Sequence, residues 1–194
     1  MASYFVGAVF NPSSFGHQRI DSFRKRFDHR FQWLPQVYLP LTPVVKLNHL
    51  QVGRLVQEIK DEASSYFLGQ DYVPSIKLIG PEVGTKKRES IVYYRPELGD
   101  DLFYLQEGLG AIFKGCINYS FDSTLIKKGQ VVLGRSIYPD MLETIFQTAR
   151  QELPMSFSIP VKEIVIFRRI QRAWILEDLL ESFISLNACV SSHL

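Results

Sequence analysis

The sequence has little of what usually gives a site away. Two cysteines in 194 residues, Cys116 and Cys189, lie in apolar surroundings without CxxC spacing, so they give no disulfide framework and no thiolate metal cluster; buried free thiols in a reducing compartment are expected. The four histidines, His17, His29, His49 and His193, form no pair with ligand spacing, so neither a metal nor a cofactor is expected. Long apolar runs are missing too. No stretch reaches the 18 or so residues a bilayer requires, and Met1 to Phe10 lacks the flanks of a signal peptide. A soluble, cytoplasmic chain with no membrane partner follows. An excess of one charge is also absent: 22 Lys+Arg stand against 20 Asp+Glu, a net charge of +2. There is no general field for nucleic acid or membranes, and any anion site must be local. The glycine-rich turn of a dinucleotide-binding unit is not found after any strand.

What is present is a well-patterned globular chain, 46% hydrophobic and 22% charged, enough to bury a sizeable core. Tyr4 to Phe10, aromatic and β-branched, reads as a central strand that ends at the turn Asn11-Pro12-Ser13-Ser14, with a helix N-cap behind it. Ile20, Phe23 and Phe27 recur at helical spacing to Asp28, with Arg19, Arg24, Lys25 and Arg26 read as the solvated face or, alternatively, as phosphate contacts. Val37 to Val45 holds Pro40 and Pro43, which cannot donate to a ladder and belong at an edge, an end or a bulge. Val52, Leu55, Val56, Ile59 and Ala63 define a helix over 51–67. Strands at 75–80 and 90–95 are expected with a hairpin-like connection through Pro81 and the polar 84–89 stretch. A helix follows from Asp100 to about Gly115, then a polar loop, a strand over 130–137, a helix opened by Pro139-Asp140, and strands over 157–170 and 174–176. From Leu179 a short helix or loose terminus is expected.

This order, roughly β-α-β-α-β-β-α-β-α-β-β, fits an internal two-fold repeat better than one doubly wound sheet. The strand-helix modules 37–67 and 130–151 would then be equivalent. Two short segments anchor them: Leu39-Pro40-Leu41-Thr42-Pro43 and Gln130-Val131-Val132-Leu133-Gly134-Arg135. On these motifs, their separation of about 90 residues and the element order, the chain resembles the two-histidine (2H) phosphoesterase superfamily. Those are the LigT-like proteins that include bacterial RNA 2′,3′-cyclic phosphodiesterases, once called 2′-5′ RNA ligases.

The resemblance implies an α+β, two-lobed fold, with duplicated strand-helix modules and mixed or antiparallel sheets flanking a central cleft. Residues 1–194 would form one bilobal domain whose lobes share that cleft. In the family each lobe carries a His-x-Ser/Thr motif, and the two imidazoles act as general acid and base on a phosphodiester. Here Pro40 and Gln130 stand at the histidine positions. Thr42 keeps one hydroxyl position and Val132 replaces the other. General acid-base help is worth roughly 10²–10⁴-fold per group, and neither proline nor an amide can supply it at neutral pH. The expectation is a degenerate member that binds a phosphate-bearing ligand, a nucleotide or RNA end, or a protein partner, as a monomer or weak dimer. The alternative is an active, diverged cyclic phosphodiesterase that uses a displaced histidine or Tyr38.

The candidate binding residues are Tyr38, Thr42, Gln130 and Arg135, with Lys46, Lys77 or Arg168 nearby. Tyr38 alternates with Pro40 and either faces the cleft or packs in the core with its hydroxyl at the edge. The guanidinium of Arg135 suits bidentate phosphate contact or, equally, a structural ion pair with a helix carboxylate such as Glu143. Each histidine reads as a surface or helix-cap residue.

Overall fold

Alternation in the first strand sets the architecture. In β1 (Ala2–Phe10), Val6, Ala8 and Phe10 turn into the main core, while Phe5 and Val9 belong to a small second cluster on the opposite face, as a side-chain period of two requires. The structure is a computed structural model that describes residues 1–33, 37–67, 73–86, 89–97, 99–118, 129–171 and 173–182. Cys189, His193, Lys87 and Arg88 therefore lie outside the described residues. Cys116 is a half-buried free thiol. Among the described residues no helix is long and apolar enough to cross a membrane.

Helix α1 (Phe15–Phe27) follows β1, and Ser14 caps it by accepting the His17 N–H at 3.3 Å. A single 3₁₀ turn, Phe31–Trp33, leads to β2 (Tyr38–Pro40) and β3 (Val45–Leu47), and both pair antiparallel with β1. The prolines account for this break into two short pieces at the sheet edge. Helix α2 (His49–Phe67) starts behind a reciprocal cap in which Asn48 and Gln51 exchange side-chain and backbone bonds at 3.0 and 2.9 Å.

The long β4 (Ser75–Lys86) and β5 (Glu89–Glu97) form a hairpin. The expected connection through Pro81 is instead strand: pairing continues to Lys86, with the register shifting between Ile79 and Glu82 around the proline. Helix α3 (Asp100–Ile117), β6 (Val131–Ser136), α4 (Pro139–Glu152, proline in its first turn), β7 (Ser156–Ile170) and β8 (Ala173–Ser182) complete the order. Residues from Leu179 to Ser182 continue β8 in register with β7 rather than turning into a helix.

All pairings are antiparallel, in the order β2-β1-β7-β4-β5-β6, with β3 added to β1 and β8 to β7. The 15-residue β7 joins two halves: Ser156–Pro160 pairs with β4, and Val161–Arg168 with β1. Each half presents one motif strand, β2 or β6, in the two-lobed α+β arrangement expected from sequence. The glycine of the Leu-Gly-Arg segment has a packing reason. A Cβ on Gly134 would lie 2.8 Å from Ile145 Cγ2 on α4 and 3.1 Å from Phe27 Cβ on α1, so both helices press onto β6 where only glycine leaves room.

Arg24 corrects the helix-face reading. It is buried rather than solvated, because its position one turn after Ile20 and next to Phe23 puts it on the inward stripe of α1.

Candidate functional site

The faces of β1 and β7 that turn away from the main core carry Phe5 and Phe167, stacked with ring centroids 4.7 Å apart. Gly7 makes this possible: a Cβ there would meet Phe167 Cε2 at 3.1 Å and Phe5 Cε2 at 3.2 Å. Tyr38 lies 5.4 Å from each of these rings, and Trp174 meets Phe5 edge-on at 4.8 Å. Of these rings, Phe5, Tyr38 and Trp174 border a cleft of about 870 Å³. Its lining takes Tyr38, Pro40 and Thr42 from one half and Gln130, Val132 and Arg135 from the other, so the two motif segments meet across one groove.

The polar end of the cleft is a charge network built around Asp28, which closes α1. Its buried carboxylate accepts Arg135 Nε–H at 3.0 Å and the Arg30 backbone N–H at 3.0 Å, and it lies 3.5 Å from Arg24 Nη2. Glu89, opening β5, accepts from Arg30 Nη2 at 2.6 Å, lies 3.9 Å from Arg135 Nη1, and is 3.5 Å from His29 Nε2. Three guanidiniums thus meet two carboxylates at one end of the cleft. A fourth, Arg169, lines it elsewhere.

Arg135 is ion-paired, as one of the two sequence readings held, but with Asp28 rather than Glu143, which bonds Gln147 within α4. It still lines the cleft. Thr42 does too, with its hydroxyl committed to the backbone: Oγ1 accepts Val6 N–H at 2.9 Å and donates to the Pro43 carbonyl at 3.2 Å. It completes the β1 edge where Pro40, paired opposite Gly7, has no N–H to offer. The Gln130 amide bonds the Tyr93 hydroxyl, which itself donates to Glu82 at 3.1 Å.

Tyr38 faces the cleft with its phenol pushed up to about 12, chiefly by burial; nearby Arg24 and Arg135 pull it back, and Asp28 adds to the rise. At neutral pH it holds its proton and is no base. Of the residues expected nearby, Lys77 pairs with Glu97 at 2.8 Å, and neither it, Lys46 nor Arg168 lines the cleft. His17, His29 and His49 do not line it either; His29 reaches it only through Glu89. Among the described residues no cluster of three His, Cys, Asp or Glu could hold a metal ion.

Phe5, Asp28, Arg30, Trp33, Glu89, Arg169 and Trp174 are not identifiable as site residues from the sequence, while Arg24, one of the basic residues of α1 with an open phosphate-contacting role, does line the cleft. For Asp28 a signal existed. A carboxylate at a helix C-terminus opposes the helix dipole, so an acid there wants cations to hold it.

No family model matches the sequence, and no curated protein matches it. Solved structures do match. A phosphoesterase crystal structure shares 12% identity at TM-score 0.53, over 92% of this chain and 97% of its own. Usb1 of Kluyveromyces marxianus shares 12% at TM-score 0.52, over 90% of this chain and 96% of its own. E. coli LigT complexed with 3′-AMP shares 14% at TM-score 0.45, over 92% and 96%. The chain shares the α+β fold of the phosphoesterase and of Usb1.

Proposed function

We propose that the inter-lobe cleft binds a phosphate-bearing ligand, a nucleotide or RNA end, and that the chain lacks the two-histidine phosphodiesterase activity of its superfamily. One observation carries this reading. Among the described residues, Arg24, Arg30 and Arg135 gather around Asp28 and Glu89 in a groove whose histidine positions hold Pro40 and Gln130. Guanidiniums held in place by carboxylates are pre-ordered for phosphate oxygens. Acid-base transfer at a phosphodiester needs two groups poised near neutral pH. No described histidine lines the groove, and its phenol, Tyr38, is pushed up to about 12.

Both tryptophans of the chain, Trp33 and Trp174, line the cleft, so indole emission is a direct probe of occupancy. Titration with adenosine monophosphates should change it saturably. Arg30→Gln and Arg135→Ala should each weaken binding about ten-fold, the worth of a hydrogen bond to a charged group. Turnover of a 2′,3′-cyclic phosphate that disappears in Gln130→Ala would overturn the non-catalytic part of the reading. The second reading, a diverged hydrolase, draws support from the His29–Glu89 contact at 3.5 Å. It requires a pH–rate profile that collapses in His29→Gln.

A further inference from the structure

We infer that the ligand is a strand of at least two nucleotides, and that Arg169 beside Trp174 receives its second phosphate; this rests on the phosphate-cleft reading above. The cleft has two cationic ends with aromatic rings between them. At one end Tyr38 stands within the electrostatic reach of Arg24, Arg135 and Asp28. From Tyr38 the rings step to Phe5 at 5.4 Å and from Phe5 to Trp174 at 4.8 Å. Trp174 is the cross-strand partner of Arg169, and strand alternation puts Arg169 on the face that carries Phe167. A single phosphate cannot occupy both ends of a floor two ring steps long.

The two ends also differ in how their charge is held. Arg30 and Arg135 are tied to carboxylates. Arg169 is exposed, donates Nε–H to the Gln171 carbonyl at 3.2 Å, and pairs with no carboxylate among the described residues. That bond uses one of five donors and fixes the guanidinium at the β7–β8 turn. A cation at each end with aromatic rings between, of which the half-buried Tyr38 and Trp174 can offer a face to a base, is the pattern that takes phosphate, base, phosphate in single-stranded nucleic acid, where rings stack bases and the groove tracks the backbone.

The test compares adenosine 3′-monophosphate with the 3′-phosphorylated diadenylate, by indole emission and calorimetry. The dinucleotide should bind about ten-fold tighter or better, as expected for one more stacked base. Its log–log salt dependence should steepen by about 0.7, the increment for one more phosphate on a single strand. Arg169→Gln, checked to melt like the parent protein, should remove that gain, and so should Arg169→Glu. Equal affinity for the two ligands, or a gain that survives both variants, would overturn the inference while leaving the phosphate-cleft reading standing. Absence of binding by either ligand would overturn both.

Discussion

Arg135 on β6 donates its Nε–H to the Asp28 carboxylate at 3.0 Å, across 107 residues of sequence. The bond ties the end of α1 to the strand that carries the second motif. Its neighbours Arg24, His29 and Glu89 bring the same network to β5.

Asp28 is the member of this network with the least exposure, 1% for its side chain against 6% for Arg24 and 14% for Arg135. Truncating it leaves two guanidiniums without the acid they share. Removing one partner of a buried pair typically costs about 3–5 kcal/mol, so Asp28→Ala should lose that much in urea denaturation. Asp28→Asn, which keeps an acceptor for Arg135, should lose less. A loss under about 1 kcal/mol, the range of an exposed pair, would show that the arginines find other partners and that Asp28 does not organise the site.

Thr42 reads as a ligand contact from its motif, yet its hydroxyl closes the β1 edge. Thr42→Val keeps the shape and orphans the buried Val6 N–H, a loss of about 1–3 kcal/mol. Thr42→Ser should recover most of it. Thermal melts of the three proteins decide the point: a valine variant as stable as wild type would return the hydroxyl to the cleft.

Tyr38 gives the chain an alkaline sensitivity whose sign follows from proton counting. Below pH 10 folded and unfolded chains both hold the phenolic proton, since an unperturbed tyrosine titrates near 10. Between 10 and about 12 the unfolded chain releases it while the folded site keeps it. The unfolded state then binds fewer protons, and stability falls as pH rises. Tyr93 and Tyr94 are raised in the same direction, so the informative quantity is a difference. Wild type should lose more stability than Tyr38→Phe over that window, and parallel losses would mean that Tyr38 ionises freely in the folded protein.

The fold was largely legible because it rests on periodicity. Ile20, Phe23 and Phe27, and later Leu142, Ile145 and Ala149, mark helix faces that remain buried or half-buried, and the prolines of 37–45 foretold a broken edge. The polar end of the site was harder to read. Arg24 looked like one more cation in a basic helix, and Glu89 like part of a hairpin tip. They share a cleft only because β5 and α1 converge on β6, a tertiary fact that no local pattern encodes. Arg169 and Trp174 were obscured for a related reason: cross-strand neighbours are set by the register of the β7–β8 hairpin, and the turn that fixes it has no marked sequence signature. Leu179 onward failed as a strand because its leucines and acids fit a helix equally well.

Because β7 runs unbroken from Ser156 to Ile170 and pairs with β4 at one end and β1 at the other, the two walls of the groove share one strand. Opening them wide would mean bending that strand or stripping its ladders. The width of the groove is therefore set by continuous hydrogen bonding rather than by a linker. The proposed ligand would then be selected by fit to a gap of nearly constant span, and its entry would depend on reorienting side chains such as Arg30 and Trp174 instead of moving one half against the other.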